Sequence, residues 1–115
     1  MSERAARLGQ AIREELSLLI QREVKDPRVK AAGLCTVTRV EVAGDLGVAK
    51  VGLSFVGGTE EQAEAAMKAL GKVAGWLRGE IGRALSLRRA PELRFVHDRG
   101  GEHADLIDRL LKGDG

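Results

Sequence analysis

The sequence predicts an α+β fold in the order helix–strand–strand–helix–helix–strand, followed by a short C-terminal helix. Three observations predict it. Apolar residues recur at helical spacing near the start of the chain. They switch to clean alternation between residues 48 and 56. They then return to helical spacing, interrupted by glycines, between residues 60 and 85. At 115 residues the expected organisation is one domain spanning 1–115, with an ordered core over 4–98 and a turn and tail helix over 99–115.

The first element is an amphipathic helix over residues 4–23. Leu8, Ile12, Leu16, Leu19 and Ile20 form its apolar stripe, and Arg4, Arg7, Arg13, Glu14, Gln21 and Arg22 face outward. Asp26-Pro27 ends it, because the residue before proline avoids the helical region. Residues 25–34 then read as a charged loop.

Residues 35–42 are rich in β-branched side chains and read as a strand. In residues 48–56, Ala49, Val51, Leu53 and Phe55 alternate with Lys50, Gly52 and Ser54, the period of a strand with one buried face. The short joining segment at 43–47 holds two glycines and an aspartate, so the two strands should form an antiparallel hairpin.

Gly57-Gly58 stops the second strand. Thr59 and Gln62 have capping-box spacing, each able to satisfy an N–H at the start of a helix. That helix turns Ala63, Ala66, Met67, Leu70, Val73 and Ala74 inward, and a second helical pattern continues through Leu77, Ile81, Ala84 and Leu85. Gly71, Gly75, Gly79 and Gly82 interrupt the two. Each interior glycine costs about 1 kcal/mol relative to alanine, so a break or kink is expected rather than one straight helix. The small-xxx-small spacing of Gly71, Gly75 and Gly79 is expected to serve close packing of helix on sheet, since Lys72, Arg78 and Glu80 exclude a lipid setting.

Pro91 prevents any continuation of the helix. Residues 92–96 read as a third strand, Asp98-Arg99-Gly100-Gly101 as a turn, and 102–112 as a tail helix with Leu106, Ile107, Leu110 and Leu111 apolar.

A 43% share of hydrophobic residues against 31% charged marks a folding chain. Only Phe55, Trp76 and Phe95 are aromatic, so the core must be aliphatic. No apolar run is long enough to span a bilayer, the N-terminus lacks the apolar stretch of a signal peptide, and Cys35 is the single cysteine. These features favour the cytoplasm.

The charge distribution carries more than the total. Net charge is +2. Residues 68–94 hold seven basic and two acidic side chains, a net +5, which leaves −3 on the remainder. A nearly neutral chain with one strongly basic stretch is built to present it to an anion.

Catalytic signatures are sparse. His97 and His103, six apart, suit neither one helix face nor a usual zinc pair, and Cys35 lies far off in sequence, so no metal site and no cofactor is expected. Glu14-Glu15 and Glu60-Glu61 are adjacent on helices and do not face each other. Ser54, Ser86 and Cys35 lack an activating partner in any recognisable motif. Gly57-Gly58-Thr59 lacks the lysine of a phosphate loop. The chain is therefore not expected to be an enzyme.

Gly79-Glu80-Ile81-Gly82 matches the G-x-x-G spacing of the backbone-clamping loop in KH RNA-binding domains. Glu80 would repel a phosphate, and the expected helix break lies earlier, nearer Gly75. The match is read as coincidental.

The element order is nevertheless that of a type II KH domain. Residues 22–28 (REVKDPR), 36–42 (TVTRVEV), 45–51 (DLGVAKV) and 87–98 (LRRAPELRFVHD), together with the opening helix, resemble bacterial ribosome-binding factor A over about residues 4–111. The resemblance implies a KH-like fold and a non-catalytic role in late maturation of the small ribosomal subunit. It implies binding to free small subunits and their ribosomal RNA, near the five-prime terminal helix. It also implies support of efficient ribosomal RNA processing in the cold, and release by a separate GTPase. In the family an Ala-x-Gly kink between the central helices replaces the G-x-x-G loop. The matching positions here are Val73, Ala74 and Gly75, with the glycine kept and the first alanine replaced by valine.

The expected RNA-binding residues are Lys72, Arg78, Arg83, Arg88 and Arg89, with Arg4, Arg7 and Arg13 as a second patch. Lysine and arginine neutralise phosphates and release counterions. With Trp76 the only large flat side chain outside the expected strands, an aromatic platform is not expected, and recognition should be of backbone and shape. The chain is expected to act as a monomer. Two other readings stay open. One is a protein-binding module that docks on ribosomal proteins or another assembly factor, and the other is a small RNA-cleaving enzyme using His97 or His103.

Overall fold

The computed structural model describes residues 3–99. The elements run α1 (Glu3–Glu23), α2 (Pro27–Ala31), β1 (Gly33–Val42), β2 (Val48–Gly57), α3 (Glu60–Lys72), α4 (Ala74–Ala84) and β3 (Glu92–His97). The fold is α+β, as the periodicity implied. The expected turn and tail helix beyond Arg99 lie outside the described residues.

The sheet has the order β1-β2-β3. β1 and β2 form the antiparallel hairpin, and β3 runs parallel to β2, with Ala49 opposite Leu93 and Val51 opposite Phe95. A bulge interrupts β1 between Val37 and Arg39. It reconciles an odd-numbered core residue with even-numbered ones. Val37, Val40 and Val42 pair with Leu53, Val51 and Ala49, so all three reach the same face.

α1 packs along β1, and α3 and α4 pack along β3. Ile12, Leu16, Leu53, Leu70, Leu77 and Ile81 are fully buried, each contributing about 1.5–3 kcal/mol of burial. In α1 the buried positions are Ala5, Gly9, Ile12, Leu16 and Ile20, while the expected Leu8 and Leu19 flank them half-buried. Gly9 is buried because the β1 backbone passes there. A Cβ on it would sit 2.8 Å from the carbonyl oxygen of Val40.

Residues 25–34 are not the uniform loop that was expected. Asp26 caps α2, its carboxylate accepting from the Arg28 N–H at 2.9 Å, and Pro27 occupies the first turn. Proline there fixes a helical φ and gives up only an N–H that would have no partner, so Asp-Pro starts a helix here as well as ending one. Beyond α2, β1 begins at Gly33, earlier than expected. Its φ of +90°, and the Val56 carbonyl standing where a Cβ would go, leave room only for glycine.

The capping box of α3 is formed in both directions. The Gln62 N–H donates to Thr59 Oγ1 at 3.1 Å, and the Thr59 N–H to Gln62 Oε1 at 2.8 Å. α3 ends at Lys72, and Val73 is the single residue between it and α4. The glycines at 71 and 75 do not serve close packing. A Cβ on either would meet nothing within 4 Å. The reason lies in the helical rotation. Leu77 and Ile81 point inward, and Gly75 and Gly79 lie on the opposite side of α4.

Candidate nucleic-acid interface

α4 and the segment that follows it build one basic surface. The C-terminus of α4 turns sharply. The N–H of Leu85 donates to the carbonyl of Ile81 at 3.0 Å, and that of Leu87 to Gly82 at 2.9 Å. Ser86 between them has φ +53°, a left-handed conformation that more often takes glycine. This reversal brings residues 87–90 back beside α4. An open groove of about 460 Å³ results, lined by Gly75, Gly79 and Gly82 on one side, Leu87 and Ala90 on the other, and by Arg78, Arg83, Arg88 and Arg89.

Two of these arginines are held in place. Arg78 Nε donates to the Ala90 carbonyl at 2.9 Å, which ties α4 to the returning chain. Arg83 pairs with Glu80 one turn back, and its guanidinium lies over Gly79. Arg88 and Arg89 are exposed and have no ion-pair partner among the described residues. The groove therefore presents four positive charges against one carboxylate.

The Gly79–Gly82 match to a backbone-clamping loop lies wholly within α4, and its Ile81 is fully buried. The N–H groups of such a stretch are spent on the helix, so it cannot cradle a phosphate.

The other expected contacts lie elsewhere. Lys72 ends α3 on the side of α2, close enough to favour the charged form of Asp26. Arg7 pairs with Glu3 at 2.7 Å on the exposed side of α1, one turn from the exposed Arg4. Arg13 Nε reaches the Val37 carbonyl at 3.4 Å, lining a separate groove between α1 and β1 with Thr38, Arg39 and Glu41. The eight basic residues thus divide into a cluster of four, a set of three on α1, and Lys72. Sequence reasoning missed the Ala90 carbonyl that anchors Arg78, and the left-handed Ser86 that folds the cluster together. The only signal for either was Pro91 closing the segment.

The groups with chemical potential are Cys35 and His97, and His97 Nδ1 is buried without a hydrogen-bond partner among the described residues. Burial pushes the Cys35 thiol up to about 11, which keeps it protonated and a poor nucleophile. His97 packs edge-on to Phe55, ring centroids 5.6 Å apart. His103 lies outside the described residues. Among the described residues no group of three His, Cys, Asp or Glu side chains is placed to hold a metal ion, and no helix is long and apolar enough to cross a membrane.

Comparisons with known proteins agree on one family. The family model for ribosome-binding factor A matches residues 4–111. A ribosome-binding factor A from Desulfitobacterium hafniense is 46% identical over 110 residues, covering 96% of this chain and 85% of the relative. The crystal structure of ribosome-binding factor A from Thermus thermophilus superposes with a TM-score of 0.68 at 29% identity, over 81% of this chain and 94% of that one. A homology model of the Thermus thermophilus protein, fitted into the cryo-EM map of a complex with the 30S subunit, matches with a TM-score of 0.58 at 28% identity, over 84% of this chain and 93% of that one. The chain belongs to the ribosome-binding factor A family.

Proposed function

We propose that this chain is a non-catalytic, monomeric assembly factor that binds the free small ribosomal subunit in the cytoplasm, through ribosomal RNA laid against the arginine groove. In this reading it assists late subunit maturation and efficient RNA processing, and a separate GTPase releases it. The single observation that carries the reading is the convergence of Arg78, Arg83, Arg88 and Arg89 on one groove. The Thermus thermophilus relative fitted into a 30S complex supports the choice of subunit. The Cys35 thiol, held protonated by burial, supports a role without catalysis.

Four arginines on a polyanion make a salt-sensitive ligand. If all four meet phosphates, log K should fall with log salt at a slope of about −3 to −4. Replacing Arg88 and Arg89 with alanine should weaken binding to free small subunits and reduce that slope by about one per lost contact. Binding measured from low to high salt, on free subunits and on protein-free ribosomal RNA, tests this. An unchanged slope removes the groove from the interface. Binding to subunits without any binding to bare RNA favours a protein-docking module instead.

A further inference from the structure

Trp76 is the only tryptophan in the chain, yet it is 44% exposed. Its neighbour Leu77 is fully buried. A side chain of that size is normally spent on a core or an interface. With Leu77 and Ile81 filling the inward positions, residue 76 falls on the outer side of α4, where the fold itself has no use for an indole.

Its place on the helix is informative. At 100° per residue, Trp76 lies about 20° around the α4 axis from Arg83 and about 60° from Gly79. Both of those residues line the arginine groove, as does its chain neighbour Gly75. A Cβ on Gly75 would meet nothing within 4 Å, and one on Gly79 would meet only the Arg83 guanidinium, at 3.8 and 3.9 Å. Trp76 therefore lies on the part of the α4 surface that borders the four-arginine groove, and no side chain grows from the two glycines beside it.

We propose that Trp76 stacks one unpaired nucleobase of the RNA whose phosphates the groove holds. This inference rests on the groove reading above and narrows its ligand. The preferred RNA is a single strand, bulge or junction with at least one unstacked base, and a continuous duplex binds less well. The charge of the rim decides against an apolar peptide as the occupant. Four guanidinium groups favour a polyanion, and a nucleic acid also supplies a flat π-face at each backbone step. One stacking residue does not make a platform, so recognition stays tolerant of sequence.

The chain carries its own reporter, since Trp76 is its sole indole. The test titrates the full chain with a short single-stranded oligoadenylate, the same oligomer with all of its bases removed, and a fully paired hairpin. Binding is followed by Trp76 fluorescence and by an independent method such as anisotropy of a labelled RNA. The expected result is quenching by oligoadenylate, with weaker binding of the base-free oligomer and the hairpin. Trp76→Ala should bind oligoadenylate about tenfold or more weakly and the base-free oligomer as the wild type does. Trp76→Phe should recover most of the loss. Equal affinity of wild type and Trp76→Ala for oligoadenylate overturns the proposal. So does a fluorescence signal that does not depend on the bases. The Arg88→Ala/Arg89→Ala double variant separates the two readings. If it loses affinity for all three RNAs while Trp76→Ala loses none, the groove stands and stacking falls. If it binds all three as the wild type does, with an unchanged salt slope, the groove reading falls first and stacking falls with it. Unchanged thermal unfolding of each variant shows that lost affinity is not lost fold.

Discussion

The Thr38 hydroxyl donates to a carboxylate oxygen of Asp98 at 2.8 Å, and the bond passes beside the bare α-carbon of Gly52. Thr38 is the residue bulged out of β1, Gly52 lies on β2, and Asp98 follows β3 with its N–H donating to the Leu53 carbonyl at 2.6 Å. One side-chain bond thus joins the two outer strands across the middle one. It needs a glycine there, because a Cβ on residue 52 would stand 2.6 Å from Thr38 Oγ1.

Gly52→Ala is therefore expected to destabilise the chain by about 1–3 kcal/mol, the usual cost of overpacking. Most of that cost should vanish in a Thr38→Ala background. The hydroxyl is then gone, and the remaining neighbours are the Arg39 side chain at 3.3 Å and Asp98 at 3.6 Å. Urea unfolding of the two single variants and the double variant gives the coupling directly. Additive costs would falsify the clasp.

Gly9 and Gly71 sit in helices and make opposite predictions. Alanine at either gains up to about 1 kcal/mol of helix propensity. At Gly9 the new methyl would press on the backbone carbonyl of Val40 at 2.8 Å, so α1 must lift from β1 and a net loss of about 1–2 kcal/mol is expected. At Gly71 it meets nothing within 4 Å, and a gain of about 0.5–1 kcal/mol is expected. Thermal melts of the two variants decide the matter. The same sign at both sites would mean that neighbouring space does not control the outcome.

These glycines also show what the sequence could carry. The helices, the hairpin and the capping box were legible because each is written in local spacing. The bulge at Thr38 was legible in principle, since the core valines of β1 step by three between Val37 and Val40, but strand composition alone hid it. The role of Gly71 and Gly75 was not legible, because small-xxx-small spacing looks the same whether a helix faces a sheet or water. The short helix α2 was lost because Asp-Pro signals both a stop and a start. At the candidate site, clustering along the chain identified the basic residues. It could not show that Lys72 and the α1 arginines stand apart from the other four, because that separation follows from the break after Lys72 and the packing of α1 on β1, while the turn at Ser86 gathers the four.

Ser86 links stability to the site. At φ +53° it occupies the left-handed region, which costs a residue with a Cβ roughly 1–2 kcal/mol, partly offset because glycine has more backbone entropy to lose on folding. Ser86→Gly should raise stability by about 0.5–1 kcal/mol and leave RNA affinity unchanged, as the turn is kept. Ser86→Val should lower stability, because β-branching disfavours this conformation further. It should also weaken RNA binding, since Arg88 and Arg89 reach the groove through this turn. Paired unfolding and binding measurements check both halves. A Ser86→Val variant that is destabilised but binds normally would show that the turn does not position the arginines.

Acid should act on the chain through Asp26. The Arg28 guanidinium and N–H both donate to its carboxylate, at 2.8–3.1 Å. They lower its pKa from 3.8 to about 2, with a further contribution from the nearby Lys72. The folded state thus holds this proton less tightly than the unfolded state does. The resulting stabilisation is fully present above about pH 4 and is lost as pH falls through about 2. Asp26→Asn keeps a side-chain oxygen that can cap α2 but removes the charge. The variant should be less stable than the wild type near neutral pH, and the two should converge as pH falls towards 2. Because the carboxylate is exposed, added salt should narrow the difference at neutral pH. Unfolding curves of both proteins across this pH range provide the measurement. A difference that persists undiminished at the acid end would assign the effect to cap geometry rather than to charge.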